Sequence, residues 1–146
     1  GRWGHISLRS NSIGAWFAML ALAGQPVDSC LFVSPGVDME NLIQNMMTWA
    51  GVTEERLERE REIPTDFGQT LSWEYLSYVR RHPVHALSAR THILYGDRDD
   101  LVPQPVVERF AQREGAALTV YPGGEHWFHT PEQVDVMGQW EEQCLP

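Results

Sequence analysis

Short apolar runs alternate along this chain with longer segments whose apolar residues recur at helical spacing. The runs predict strands, buried where they are continuously apolar, at residues 4–9, 29–33, 92–95 and 117–121. Helical spacing predicts helices over residues 13–24, 104–113 and 131–143. Because strand and helix alternate, we expect an α/β fold with a mostly parallel sheet of about four strands, flanked by helices on both faces.

The apolar positions also predict which side of each helix packs inward. In the first helix one face carries Ile13, Trp16, Phe17 and Leu20. The second and third helices are expected to point inward through Val106, Val107 and Phe110, and through Val134, Met137 and Trp140. Thr130 opens a capping box before the last helix, with Pro131 at its first helical position.

Residues 37–86 interrupt the alternation of strand and helix. In this block the pattern predicts only helices, at about 39–50, 53–61 and 72–81. We therefore expect one domain over residues 1–146, in which residues 37–86 form a helical insertion over one end of the sheet.

Composition narrows the class of protein. The chain has 146 residues, of which 42% are apolar, and these values indicate one globular domain rather than a disordered chain. A net charge of −9 without a basic patch argues against nucleic-acid binding, and no apolar run approaches the length of a membrane span. Cys30 and Cys144 are too few and too far apart to suggest a disulfide framework or a zinc site, so we expect a cytoplasmic protein.

The first chemical signal is a serine between the first strand and the first helix. Ser10-Asn11-Ser12-Ile13-Gly14 has the layout of a nucleophile elbow, which requires small residues two before and two after the nucleophile. Ser12 would project its hydroxyl from the turn, and the Ile13 amide would donate to a developing oxyanion at a helix N-terminus. Serines near glycines are common, so the same residues also fit an ordinary turn.

An aspartate-rich turn follows the third strand, where α/β sheets place their ligands. Among its three aspartates we favour Asp99, which lies three residues after Gly96 and four before Pro103. A polar turn at a helix entry is the simpler interpretation. The spacing also resembles an EF-hand loop, but Val102 stands where glycine is needed, so we expect no metal site and no cofactor here.

A histidine follows the fourth strand. Gly123 and Gly124 precede Glu125 and His126, which makes His126 a plausible base on a short loop, with His129 as the reserve candidate. A lone loop histidine is more often structural. The two histidines do not form a metalloprotease motif, because the glutamate precedes the pair instead of lying within it.

Ser12, Asp99 and His126 occur in the chain order of one known arrangement of the catalytic triad, each just past a separate predicted strand. With these motifs the chain resembles the α/β-hydrolase superfamily, from the elbow strand to the final helix. The resemblance implies Ser12 as nucleophile, His126 as general base and then acid, and Asp99 as the carboxylate that orients His126. It puts residues 37–86 in the place of the family's cap, and Ser10 replaces the common elbow glycine.

The resemblance also sets expectations about what surrounds this chain. Family members carry several strands before the elbow, and a loop there donates a second oxyanion amide, so we expect a truncated α/β-hydrolase fold without those N-terminal strands. The first strand would then be a sheet edge with apolar flanks such as Trp3 and Ile6. This edge favours a homodimer or association with a missing N-terminal portion.

Three functions follow from these expectations. The first is a serine hydrolase that cleaves a carboxylic ester or related small acyl substrate through an acyl-enzyme. The alternative is a catalytically impaired fragment that acts as a binding or interaction module. A different reaction on the same fold, such as thioester hydrolysis, acyl transfer or dehalogenation, is the third, although a dehalogenase would be expected to use an aspartate where this chain has Ser12.

Overall fold

A computed structural model describes residues 4–145 of the chain. Its helices and strands follow in the order β1 (Ser7–Asn11), α1 (Ser12–Ala21), β2 (Ser29–Val33), α2 (Met39–Ala50), α3 (Glu54–Glu60), β3 (Glu62–Pro64), β4 (Thr70–Ser72), α4 (Trp73–Arg81), β5 (Arg90–Gly96), α5 (Gln104–Glu114), β6 (Ala117–Tyr121) and α6 (Pro131–Cys144).

The main sheet contains four parallel strands in the order β1-β2-β5-β6, as expected from the alternation of strand and helix. All five residues of β2 are buried, because both faces of this strand are covered. On one face Leu31 and Val33 pack in a cluster with Leu94, Phe128 and Trp140. Trp140 belongs to α6, so the final helix closes that face of the sheet.

The first strand differs from its predicted bounds. It covers Ser7–Asn11 instead of residues 4–9, because its register pairs Ser7 with Ser29 and Asn11 with Val33. Ile6 lies before the strand, where its amide donates to the Asp28 carboxylate over 2.6 Å. The strand therefore runs directly into α1, which begins at Ser12 and ends at Ala21, earlier than the predicted residue 24.

Two helices bury a different set of side chains from the one their spacing predicts. Helix α1 buries Ala15, Trp16 and Met19, whereas Ile13 and Phe17 are exposed. In α6 Trp140 is buried as expected but Val134 is exposed. Helix α5 follows the prediction, since Val106, Val107 and Phe110 are all buried.

Residues Asp38–Pro83 form a compact unit of their own, separate from the unit that holds the main sheet. The three predicted helices are present in it. The prediction that it contains only helices is wrong, because β3 and β4 form an antiparallel hairpin in which Ile63 lies opposite Leu71. Strands of three residues are too short to show an alternating pattern, so periodicity could not predict them. The hairpin forms its own sheet and adds no strand to the main one.

Residues 4–145 include no helix with both the length and the apolar character needed to span a bilayer.

Candidate active site

Ser12 lies where β1 turns directly into α1. Its backbone has a φ of 46°, which is in the left-handed region that few residues other than glycine adopt. The Gly36 amide, in the loop after β2, donates to the Ser12 carbonyl over 2.9 Å. A neighbouring strand end thus holds the backbone of this residue in a strained conformation, and such strain is concentrated at functional sites.

The close passage of strand and helix explains the small residues on either side of Ser12. A Cβ atom added to Gly14 would lie 3.0 Å from the Ser10 hydroxyl oxygen, a distance that allows little more bulk at either position. Because α1 begins at Ser12, the Ile13 amide belongs to the first turn, whose N–H groups have no partner within the helix. This amide is therefore available to a negatively charged oxygen.

His126 connects the serine to a carboxylate. Its Nε2 atom is 2.8 Å from Ser12 Oγ and its Nδ1 atom is 2.7 Å from Asp99 Oδ2. Since a carboxylate only accepts, the Nδ1–H donates to Asp99, and Nε2 is left as the acceptor for the serine hydroxyl. The Asp99 side chain is fully buried and that of His126 is 15% exposed, so solvent has little access to this pair.

The second oxygen of the Asp99 carboxylate also accepts hydrogen bonds. Asp99 Oδ1 accepts the backbone amides of Leu101 and Val102, both over 2.9 Å. Of the other two aspartates in this turn, Asp97 accepts the Gly123 amide over 2.6 Å and Asp100 is exposed. The structure therefore brings together Ser12, His126 and Asp99, the three residues selected from the sequence. Asp97 binds the backbone of the neighbouring loop instead.

Two hydrogen bonds and one close backbone approach join the loop of Asp99 to the loop of His126. The Arg98 amide donates to the Gly124 carbonyl over 2.8 Å, and Asp97 holds the neighbouring Gly123. A Cβ atom on Gly124 would lie 2.9 Å from the Gly96 Cα atom, so the two chains touch through glycine backbone. These contacts fix the spacing between the carboxylate and the imidazole.

Tyr95 forms a hydrogen bond to the segment that follows Asp99, and sequence reasoning did not single it out. Its ring is buried and its hydroxyl donates to the Val102 carbonyl over 2.7 Å. Burial, followed by the negative charges of Asp99, Asp97 and Glu108, raises the pKa of the Tyr95 hydroxyl to about 12. A tyrosine one residue before the strand end was the available signal, but only the fold shows what its hydroxyl reaches.

The remaining candidate, His129, does not take the position of a base. Its Nδ1 atom lies 2.7 Å from the Trp127 carbonyl oxygen and 3.5 Å from the Glu125 carboxylate. Its ring stacks on the Trp127 indole, with 4.9 Å between the ring centroids. His126, rather than His129, is therefore the histidine beside Ser12.

No family model and no curated protein matches the sequence. Solved structures do match the fold. Est1E from Butyrivibrio proteoclasticus superimposes with a TM-score of 0.73 at 19% identity, over 95% of this chain and 59% of that one. The alpha/beta hydrolase domain-containing protein 10 from mouse gives 0.72 at 14% identity, over 97% and 62%.

A third match is XC6422 from Xanthomonas campestris, described as a member of the α/β serine hydrolases without lid, with a TM-score of 0.55 at 16% identity over 94% and 45%. This chain thus spans less than two thirds of the length of each of these three structures. The three superpositions each extend over at least 94% of its own residues. The chain therefore has the α/β-hydrolase fold.

Proposed function

We propose that this protein is a serine hydrolase that cleaves a carboxylic ester or a related acyl compound. The observation that carries the proposal is the chain of hydrogen bonds from the strained Ser12 through His126 to the buried Asp99, with both distances below 3 Å. The names of the matched structures point to the same class of reaction.

The geometry suits acyl transfer in two steps. In the first, His126 Nε2 removes the Ser12 proton while Oγ forms a bond to the substrate carbonyl carbon. The negative charge on the carbonyl oxygen would be stabilised by the Ile13 amide. The bond to the alcohol oxygen then breaks, and the alcohol leaves with the proton that His126 carries.

The second step regenerates the serine. A water molecule gives a proton to His126 and attacks the acyl carbon, and the ester bond to Ser12 breaks as His126 returns the proton to Oγ. Asp99 keeps its charge throughout, holds the histidine in the required tautomer and stabilises the imidazolium that forms twice. The products are one carboxylic acid and one alcohol for each water consumed.

Labelling with an alkyl fluorophosphonate, followed by mass spectrometry of the peptides, tests the proposal. We expect one label, on Ser12, and none in Ser12→Ala. Ser10→Ala is the matched control, because it removes a serine from the same motif and should keep the label. A protein that stays unlabelled would support the alternative of a binding or interaction module.

The unit Asp38–Pro83 is a separate part of this proposal. We propose that it acts as a cap that governs substrate preference, as the break in strand–helix alternation suggests. Replacing it by a short Gly-Ser linker should change the relative rates on different esters while Ser12 is still labelled. Unchanged relative rates would contradict a cap role.

A further inference from the structure

Trp127 is the residue next to His126, and it is 73% exposed, the largest fraction among the large apolar side chains of residues 4–145. Leaving an indole in water forfeits most of the free energy that its burial would supply. An exposed tryptophan beside a proposed reacting group therefore needs an explanation other than packing.

The Trp127 side chain is exposed but held in place. On its C-terminal side, Phe128 is buried in the cluster of Leu31, Val33 and Trp140, which anchors the backbone of the loop. The His129 ring stacks on one face of the indole at an interplanar angle of 28°, and its Nδ1–H donates to the Trp127 carbonyl. The indole thus has one face occupied and its other face turned to solvent.

Glu125 and Gln133 in turn support the His129 ring. Its imidazole lies 3.5 Å from the Glu125 carboxylate, which also accepts from the Gln133 side chain over 3.2 Å. Gln133 is buried at the start of α6, so this series of contacts ends in the framework of the fold. Trp127 is in this way pre-organised, which lowers the entropy cost of binding against it.

We propose that Trp127 determines specificity by binding a planar aromatic group of the substrate, and that His129 is its positioning residue. This inference rests on the proposed function of Ser12 and His126. A flat π surface with one free face favours an aromatic ring over a saturated group of the same size, because stacked rings gain an interaction beyond the area they bury. The predicted substrate is therefore an ester with an aromatic ring on its acid or its alcohol.

The test compares kcat/KM for four esters that differ in one group. Ethyl 3-phenylpropanoate carries an aromatic ring on its acid, and benzyl butanoate carries one on its alcohol. Ethyl 3-cyclohexylpropanoate carries a saturated ring instead, and ethyl butanoate has no ring. We expect Trp127→Ala to lower kcat/KM by about 10-fold for at least one aromatic ester and to leave both saturated esters within about 2-fold. Trp127→Phe should retain part of the preference.

His129→Ala separates positioning from general stability. It should lower the ratio of kcat/KM for aromatic esters to kcat/KM for saturated esters, by a smaller factor than Trp127→Ala does. In the Trp127→Ala background it should change this ratio little further, since both substitutions remove the same interaction. Ile6→Ala is the control for loss of an exposed apolar side chain, because Ile6 is 45% exposed and precedes the opposite end of β1 from Ser12. It should leave the ratio unchanged.

Fluorophosphonate labelling of each variant keeps the two proposals apart. If Ser12 is labelled and esters are cleaved, but Trp127→Ala lowers all four rates alike or none of them, the inference about Trp127 is overturned and the hydrolase remains. If Ser12 is not labelled in the unmodified protein, the proposed function fails and the inference falls with it.

Discussion

Gly96 and Gly124 touch backbone to backbone, at the point where the Asp99 loop meets the His126 loop. A Cβ atom on Gly96 would lie 2.8 Å from the Gly124 Cα atom and closer still to its carbonyl. Backbone cannot move aside as the end of a flexible side chain can. The distance between Asp99 and His126 therefore depends on the absence of two methyl groups.

Gly96→Ala is expected to separate the two loops. We expect a loss of about 1–3 kcal/mol of unfolding free energy from overpacking and a fall in kcat of about 10²-fold from the displaced imidazole. Urea unfolding and ester hydrolysis measure the two effects. Gly138→Ala is the control, since nothing lies within 4 Å of its added Cβ and it sits within α6, where alanine is the better helix former. Full activity in Gly96→Ala would refute this account.

The roles of two neighbouring aspartates are predicted to differ. Asp99→Asn should lower kcat by about 10⁴-fold, because an amide that donates to His126 Nδ1 favours the wrong tautomer. Asp97→Asn keeps an oxygen that accepts the Gly123 amide, so its rate should stay within about 3-fold of the original. Steady-state hydrolysis of one ester by both variants makes the comparison. Equal losses would show that the carboxylate beside His126 has no special role.

Tyr95 is expected to limit stability at high pH. The pKa of its hydroxyl is about 12 in the folded chain against 10.0 as its ordinary value, so the neutral form is favoured by folding. Its contribution is complete below pH 10 and is lost as the pH rises towards 12, by about 2–3 kcal/mol in total. Urea unfolding between pH 8 and 11.5 measures this loss.

Tyr95→Phe removes the ionisation and should flatten that part of the pH profile. It should also cost about 1 kcal/mol at pH 8, where the hydrogen bond to the Val102 carbonyl is lost. Identical alkaline profiles for the two proteins would show that another group is responsible.

Strand β1 is an edge strand of the main sheet among the described residues. Within the described chain it pairs only with β2, which leaves its other side without a strand partner there, and Ile6 is exposed just before it. Trp3, the other apolar flank considered in the sequence, lies outside the described residues. Arg9 lies on this strand and bridges to Glu141 over 2.7 Å, and a charge on an edge strand opposes pairing.

We expect association through this edge in spite of Arg9, because edge backbone groups and apolar neighbours favour strand pairing. Light scattering over a range of micromolar concentrations should give a mass that rises to that of a dimer. Ile6→Lys, which adds a charge to the apolar flank, should shift the protein towards monomer. A monomeric mass at every concentration would show that the edge does not pair.

The pattern of apolar positions predicted the alternation of strands and helices in the main sheet, and with it the place of each candidate residue. Ser12, Asp99 and His126 each follow a strand, and in a parallel sheet all strand ends of one kind lie at one edge. The clearest pattern is that of a strand buried on both faces, such as β2, in which residues 30–33 are continuously apolar. The β3–β4 hairpin was not predicted, because strands of three residues are too short to show a periodic pattern.

Contacts between residues distant in the chain could not be predicted from local patterns, because they depend on how the elements pack. Periodicity put Ile13 and Phe17 on the apolar face of α1, but which part of that face is covered depends on neighbours that the helix cannot specify, and both side chains are exposed. The sequence could not show which aspartate lies within hydrogen-bond distance of His126. That distance is set by the pairing of β5 with β6, which brings Gly96 against Gly124. The stacking of Trp127 on His129 likewise depends on Phe128 being anchored in the core, which no local pattern encodes.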